Sequence, residues 1–496
     1  MKPIRAIISV YDKEGIVDLA KVLTEHKIEI LATSKTADML KQAGIPIVEV
    51  SKFTDAEEIL GGRVKTLHPK IAGGILSFRK DNAVEPIDIV VCNLYPFEES
   101  LKKNLTLEQM VEMVDIGGVT LLRAGAKNYA HVAVVPDKKF YPMIINELKE
   151  KKEITIETRQ LLALKAFEIV AHYDSVIQEY FYNQFQSVDF AEYYTKTYLK
   201  SMPLRYGENP HQKAFYYTDP FSNFNMKQLQ GKEISYNNLL DVEAVLSIVE
   251  DFTDLTCAIV KHNSPCGVAC AETMKDAYLK ALESDSKSAF GGIVAFNRTV
   301  DQETAQEMTK IFLEVIIAPS FTPEALAVLK SKKNLRVIEY TGQTSKMLIR
   351  NCLGGILMQD KDTIKEDTKD WKVMSNRQPT PYELAELEFA WKVTKFVKSN
   401  AIVLSKNKTT IGIGGGQTSR VDSAEIAIRK AQGKLDGAVM ASDGFFPFRD
   451  SVDLAAQNGI KAIVEPGGSL GDKQVMQAAN ENNIALLFTG IRHFRH

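Results

Sequence analysis

The stretch Thr256-Cys-Ala-Ile-Val-Lys-His-Asn-Ser-Pro-Cys-Gly-Val-Ala269 ends an apolar run in two adjacent basic groups, Lys261 and His262. Imidazole titrates near neutrality and suits proton removal. A neighbouring ammonium disfavours imidazolium, which holds His262 as a neutral base. The Asn263-Ser264-Pro265 that follows reads as a rigid turn, so the pair fits acid/base chemistry better than an ordinary strand end. Zinc fits poorly. The deaminase pattern H-x-E is broken by Ser264, and Cys266 and Cys270 lie four apart where that pattern needs three. No metal site is expected.

Four further stretches carry polar groups in patterns that suit ligands. Residues 60–74 join Gly61 and Gly62 to Arg63, Lys65, His68 and Lys70. Glycines let amides approach an anion and the cations supply charge, though a solvated basic turn has the same composition. Asp115 precedes Gly117-Gly118 at a predicted helix start, where free N–H groups can meet an anion or a carboxamide. N-capping is the plainer role for Asp115, and Lys127 falls near the same helix's C-terminus, where a cation is favourable anyway. Residues 204–212 gather Arg205, Tyr206, Glu208, Asn209 and His211 around Gly207 and Pro210, a ligand loop or a structured surface turn. Residues 412–427 are Gly-rich and precede a helix. Gln417 breaks the dinucleotide fingerprint and no Gly-Lys-Ser/Thr follows, which leaves Arg420 at the helix start as an anion holder.

The elements that must position these groups alternate. "IRAIISV", "KIEILAT", "IPIVEV", "IDIVVCNLYPF" and "HVAVVP" read as strands, with helical spacing in "GIVDLAKVLTEH", "TLEQMVEMVD" and "GVTLLRAGAKN". That alternation predicts a mostly parallel sheet with ligands beyond its carboxyl ends. Residues 155–185 predict one long helix, and a boundary falls near 186–200. Beyond it "AIVKHN", "GGIVAFN", "EVIIAPS", "NAIVLS", "TTIGIGGG", "DGAVMAS", "KAIVEPGG" and "IALLFTG" are predicted strands, with helices in "ELAELEFAWKVTKFVKS" and "SAEIAIRKAQG". Whether residues 200–496 hold two similar subdomains is left open by the sequence.

With 496 residues the chain exceeds one core. Hydrophobic residues make up 45% and charged residues 25%, with a net charge of -2, so nothing global points to nucleic acid or an anionic membrane. The N-terminus turns polar after one short apolar run, and no run nears the roughly 20 residues a bilayer span needs. Five cysteines, mostly in apolar context, fit buried thiols in a reducing cytoplasm.

"SVYDKEG", "LGGRVKTLHPKI", "DIGGVTLLRAGAKNY", "LRYGENPHQ", "KHNSPCGVA", "SAFGGIVAFN", "GIGGGQTSRVDSA", "SDGFFPFRD" and the terminal "FTGIRHFRH" follow in one order along the whole chain. In this it closely resembles the bifunctional purine-biosynthesis enzymes that join aminoimidazole carboxamide ribonucleotide (AICAR) formyltransferase to IMP cyclohydrolase. The resemblance implies an N-terminal methylglyoxal-synthase-like α/β domain over 1–190 and a transformylase over 200–496 built of tandem cytidine-deaminase-like subdomains. It implies formyl transfer from 10-formyltetrahydrofolate, as co-substrate, to AICAR, then dehydrative closure to IMP. It also implies a cytoplasmic homodimer without nucleic-acid or membrane partners.

Carried over by motif, His262 takes the amine proton, and Lys261 stabilises charge or protonates the leaving nitrogen. Arg205, Tyr206, Gly291, Glu314, Asn400, Arg420 and Arg492 hold the nucleotide. Phe445, Asp450, Ser469 and Leu470 line the folate side. In the first domain Asp12, Lys13, Thr36, Arg63, Thr66, Asn93 and Gly117 surround nucleotide. Lys65, Tyr95, Asp115 and Lys127 carry ring closure. The chain departs from the family where S-T-G-G-T reads Ala32-Thr33-Ser34-Lys35-Thr36, and where a usual His is Ala72. Ser and Lys enter glycine conformations at a cost. A first domain that binds nucleotide but cyclises poorly is therefore the alternative reading.

Overall fold

A computed structural model describes residues 3–80, 84–185, 190–345 and 347–496. The chain divides into two compact units, Met1–Leu199 and Lys200–His496. Part of the expected boundary, residues 186–189, lies outside the described residues.

In the first unit, β1 (Arg5–Val10), β2 (Glu29–Ala32), β3 (Val48–Glu49), β4 (Ile89–Asn93) and β5 (Ala133–Val135) form one parallel sheet in the order β3-β2-β1-β4-β5. Successive residues Ala6, Ile7 and Ile8 of β1 are all fully buried, as a sheet covered on both faces requires. The order turns back between β1 and β4, which opens a crevice at their carboxyl ends. Two predicted elements are shorter than expected. "IPIVEV" yields only β3, because a helix begins at Val50. "TLEQMVEMVD" is helical only over Leu107–Val111, started by a Thr106–Gln109 capping box. The long helix spans Ile156–Phe185 and buries Leu162, Ala163, Ala166, Val170, Tyr173 and Val176 at spacings of three and four.

In the second unit, β6 (Leu199–Pro203) pairs with β7 (Phe215–Thr218). A six-stranded sheet follows: β8 (Asn225–Gln230), β9 (Thr256–Lys261), β10 (Ser264–Cys270), β11 (Ile293–Phe296), β12 (Val315–Ala318) and β13 (Arg336–Thr341), ordered β10-β9-β11-β12-β13-β8. β14 (Met347–Cys352) and β15 (Gly355–Asp360) make a hairpin. A second six-stranded sheet holds β16 (Lys372–Val373), β17 (Ile402–Ser405), β18 (Thr410–Gly414), β19 (Val439–Ser442), β20 (Ala462–Glu465) and β21 (Ala485–Phe488), ordered β16-β21-β20-β19-β17-β18.

Read from its β18 edge, the second sheet repeats the first. Each runs through an antiparallel hairpin, another antiparallel pair, two parallel pairs and a closing antiparallel strand. The tandem subdomains that the sequence left open are thus present. Gly267 of β10 and Gly412 of β18 play matching parts. A Cβ on Gly267 would lie 1.9 Å from the Ala281 carbonyl, and one on Gly412 would lie 2.0 Å from that of Ala427. Each glycine lets a helix seat directly on its hairpin. The two sheets meet where Ala269 bridges Thr409 antiparallel and the Val268 amide donates to Thr410 Oγ1 at 2.9 Å. Since β18 runs antiparallel to β10 there, its carboxyl end points toward the start of β10, beside His262.

Candidate active sites

In the first unit the predicted groups gather at the carboxyl ends of the strands. Asn93, ending β4, accepts the Tyr11 and Asp12 amides at 2.6 and 3.1 Å and donates to the Asp12 carbonyl at 2.8 Å. It fixes the loop that follows β1 and carries Asp12 and Lys13. Thr36 is buried and donates to the Val10 carbonyl at 3.3 Å. Tyr95 meets Tyr11 edge-on, with ring centres 5.5 Å apart. The Asp115 carboxylate accepts the Gly118 amide at 2.7 Å from one residue before Ile116, the N-cap of the helix Gly117–Lys127, so it satisfies a first-turn amide without being the N-cap itself. Thr66 Oγ1 would lie 2.9 Å from a Cβ on Gly117, so this helix start and the loop around Lys65 touch. Burial raises the Asp115 carboxyl above its ordinary range, against bonds from the Gly118 and Tyr95 amides. Burial, then the nearby Asp115 charge, raises the Tyr95 phenol. A carboxyl raised by burial beside a raised phenol is a pair of groups suited to moving a proton onto and off a ring-closing amide.

Other placements differ from expectation. Lys127 is exposed at the far end of its helix, about 15 Å from Gly117 by the helical rise. Within one chain the fold does not bring it to Asp115. The basic stretch is largely self-paired: Arg63 bonds Glu112, Lys70 lies 2.6 Å from Asp55, and His68 caps the helix Pro69–Leu76. Ser34, in the altered turn, adopts a φ of 22° and its hydroxyl bonds Glu58, which also lies 3.5 Å from Lys65. Lys35 is exposed. Sequence reasoning missed Glu58, Tyr173 and Lys138. The Tyr173 hydroxyl accepts the Asp115 amide and donates to the Met113 carbonyl, both at 2.8 Å. Lys138 pairs with Asp12 at 2.8 Å. For Tyr173 and Lys138 the signal lay in contacts across 58 and more residues, which no local pattern displays.

In the second unit the expected turn is displaced. Ser264 and Pro265 already belong to β10, and the turn consists of His262 and Asn263, with φ of 53° and 58°. This is a two-residue hairpin turn with both central residues left-handed. Asp241, on the helix Tyr236–Val249, clamps it by accepting the His262 and Asn263 amides at 3.3 and 2.6 Å. Burial raises the Asp241 carboxyl against these bonds. Lys261 Nζ donates to the Phe290 carbonyl at 2.7 Å, just before Gly291 with its φ of 73°. The other predicted groups follow along this sheet edge. Glu314 donates its amide to the Gly292 carbonyl at 3.0 Å, and its carboxylate pairs with buried Arg336 at 2.7 Å. Arg336 reaches the Glu233 carbonyl at 2.7 Å, and the Arg205 amide meets that of Ile234 at 3.3 Å. The Arg205 guanidinium covers the Tyr206 ring.

The duplicated hairpin supplies an internal control. Its turn is Asn407-Lys408, again with both φ positive, between Lys406 and Thr409. Lys406 Nζ donates to the Asp436 carbonyl at 2.6 Å as Lys261 does to Phe290, and Glu386 accepts the Lys408 amide at 2.7 Å. The Lys and its carbonyl contact recur in both copies. The imidazole does not, since Asn407 stands where His262 does.

Arg420, expected at the helix start as an anion holder, already has partners within the chain. It is buried, 2.5 Å from the Asp443 carboxylate, and it donates to Ser442 Oγ and Asn400 Oδ1, each at 2.9 Å. The glycines before it serve packing, because a Cβ on Gly414 would sit 1.9 Å from the Ser423 carbonyl. Arg492 lies over Phe494. Phe445 and Leu470 are exposed, Ser469 Oγ accepts the Gly471 amide at 2.9 Å, and Asp450 begins the helix Asp450–Gln457. Between them lies Glu465, which sequence reasoning missed. It is fully buried, with one oxygen accepting the Phe446 amide at 2.6 Å and the other without a partner among the described residues. Burial pushes its carboxyl up to about 8. No group of three or more His, Cys, Asp or Glu suited to a metal occurs among the described residues.

A parallel-sheet crevice with a carboxyl raised by burial, joined in one chain to duplicated hairpin sheets of which one turn carries an imidazole, is the architecture of a two-site α/β enzyme. Residues 125–430 match the AICARFT/IMPCHase bienzyme family, and residues 15–120 match the MGS-like domain. The chain is 50% identical to the bifunctional purine biosynthesis protein PurH of Persephonella marina, covering 99% of both chains. It is 49% identical to that of Aquifex aeolicus, covering 99% of this chain and 100% of the other. The chain belongs to the AICARFT/IMPCHase bienzyme family and is a bifunctional formyltransferase and cyclohydrolase.

Proposed function

We propose that the second unit transfers the formyl group at the His262 turn and that the first closes the ring in the crevice around Asp115. The chain catalyses the last two steps of purine biosynthesis, from AICAR through its formylated intermediate to IMP. In the first step the AICAR amine attacks the formyl carbon of 10-formyltetrahydrofolate. His262 takes the amine proton as the carbon–N10 bond breaks, and N10 of the leaving folate gains a proton. Lys261, tied to the Phe290 carbonyl, holds the turn and adds positive charge beside the reacting carbonyl. In the second step Asp115 and Tyr95 exchange protons with the carboxamide nitrogen and the formyl oxygen, and water leaves. Arg205, Tyr206, Gly291, Glu314, Asn400, Arg420 and Arg492 hold the nucleotide, with Phe445, Asp450, Ser469 and Leu470 toward the folate.

The observation that carries the formyl-transfer assignment is the single imidazole that distinguishes two otherwise matching turns. His262→Asn writes the second turn into the first. Asn tolerates the left-handed backbone, so the fold and the Lys261 contact persist. Formyl transfer should fall by about 10²- to 10⁴-fold, while supplied formyl-AICAR is still cyclised. Unchanged formyl transfer would reduce the hairpin to a binding module.

We also propose a cytoplasmic homodimer. No helix among the described residues is long and apolar enough to cross a membrane. The long helix leaves Leu161, Leu164, Phe167 and Phe185 exposed, an apolar face suited to a second copy. A monomeric mass by light scattering at full activity would refute the dimer.

A further inference from the structure

His493 lies outside every role assigned so far, yet it is 2% exposed and faces two carboxylates, one through a hydrogen bond and one at ion-pair distance. Its Nδ1 is 2.5 Å from Asp362 and its Nε2 is 3.4 Å from Glu366. Two carboxylate charges this close to a buried ring favour the imidazolium, which carries the compensating charge and an N–H on each nitrogen. Its ring lies 4.9 Å from that of Trp391, whose Nε1 donates to Glu366. Its backbone amide donates to the Asp443 carbonyl at 3.0 Å, and the Asp443 carboxylate holds Arg420. Its neighbour in sequence is Arg492. One residue therefore fastens the segment 362–366 to both cations placed at the nucleotide.

We infer that His493, as an imidazolium bridging Asp362 and Glu366, is a positioning residue that sets Arg492 and the Arg420–Asp443 pair for nucleotide binding in formyl transfer. The inference rests on the placement of Arg420 and Arg492 at the nucleotide. The remaining charges around the adjoining cavity of about 190 Å³ are Asp251, Lys365, Glu388, Lys392 and Lys395. Asp251 pairs with Lys395 at 2.7 Å and Glu388 with Lys392 at 2.8 Å, so these four largely cancel. Burial pulls the imidazole toward neutrality, but the bonds to Asp362 and Glu366 outweigh it and the net shift is upward. The bridge is thus complete below about pH 6.5 and is lost as pH rises through the shifted value.

Of the chain's two tryptophans, Trp391 lies against this ring and Trp371 lies 6.2 Å from Trp391. Imidazolium quenches a neighbouring indole, so emission should rise in one step as pH increases above 6.5, and His493→Asn should remove that step. At pH 6.5 His493→Asn should raise the KM for AICAR about tenfold with kcat nearly unchanged. The difference from wild type should vanish above the emission midpoint. If His493→Asn fails to fold, Asp362→Asn serves, since it removes one of the two negative charges that favour the imidazolium. A flat emission profile, or a KM equal to wild type at every pH, would overturn the inference. Arg492→Ala with an unaltered KM would overturn the nucleotide placement and the positioning role with it, while the emission step would stand. The two failures are therefore distinguishable.

Discussion

Glu465 shows what one buried carboxyl costs and what it signals. Removal from water pushes it up to about 8; the Phe446 amide opposes this, and the charge of Asp472 adds to it. An acid whose folded value exceeds its unfolded value stabilises most at low pH. That contribution is whole below about 4.5 and drains at about 1.4 kcal/mol per pH unit until about 8. Glu465→Gln keeps the shape and removes the proton. Its urea midpoint should therefore gain on wild type as pH rises across that window, and parallel profiles for the two proteins would refute a protonated Glu465. Nothing in "KAIVEPGG" marks this residue, because a strand-end Glu normally faces water and only the loop from 443 to 448 covers it here. His262 was legible by contrast, since its type and its Lys neighbour are both local. Its turn was misplaced by one step because His at positive φ is uncommon and Asn-Ser-Pro is a stronger turn signal.

At the scale of elements, the two glycine-rich strands and the altered Ala32–Thr36 turn make opposite points. Gly414 looks like a ligand loop in sequence, yet it is there so that a helix can touch a strand. Gly414→Ala would press a methyl onto the Ser423 carbonyl. It should destabilise the chain by about 3 kcal/mol, and an unchanged unfolding midpoint would count against the packing role. Ser34 holds a glycine conformation, at a cost of about 1–2 kcal/mol. Its hydroxyl also engages Glu58, which leans toward Lys65. Ser34→Gly should relax that turn, release Glu58 from the crevice and lower the cyclohydrolase KM about fivefold. A KM that stays put would mean the turn is already well suited to its anion. Periodicity marked all five strands of the first unit and eight of the second, but not β6, β7, β8, β10, β13, β14, β15 or β16. What was not readable were contacts between distant segments, such as Tyr173 with Asp115.

The whole molecule joins two reactions, and the sites we propose for them differ in chemistry: a raised carboxyl and phenol in the parallel-sheet unit, and an exposed imidazole on a clamped hairpin in the duplicated unit. The duplication itself was invisible to residue patterns, since the two sheets share topology rather than letters. Only one copy carries the imidazole, which is why one subdomain alone is assigned proton transfer. The decisive measurement is turnover of AICAR with 10-formyltetrahydrofolate, followed by absorbance, with the products separated by chromatography. The account predicts IMP, formed without build-up of the formylated intermediate. Formyl-AICAR that accumulates and closes no faster than it does without enzyme would contradict it, leaving His262 active and the first unit only a binder.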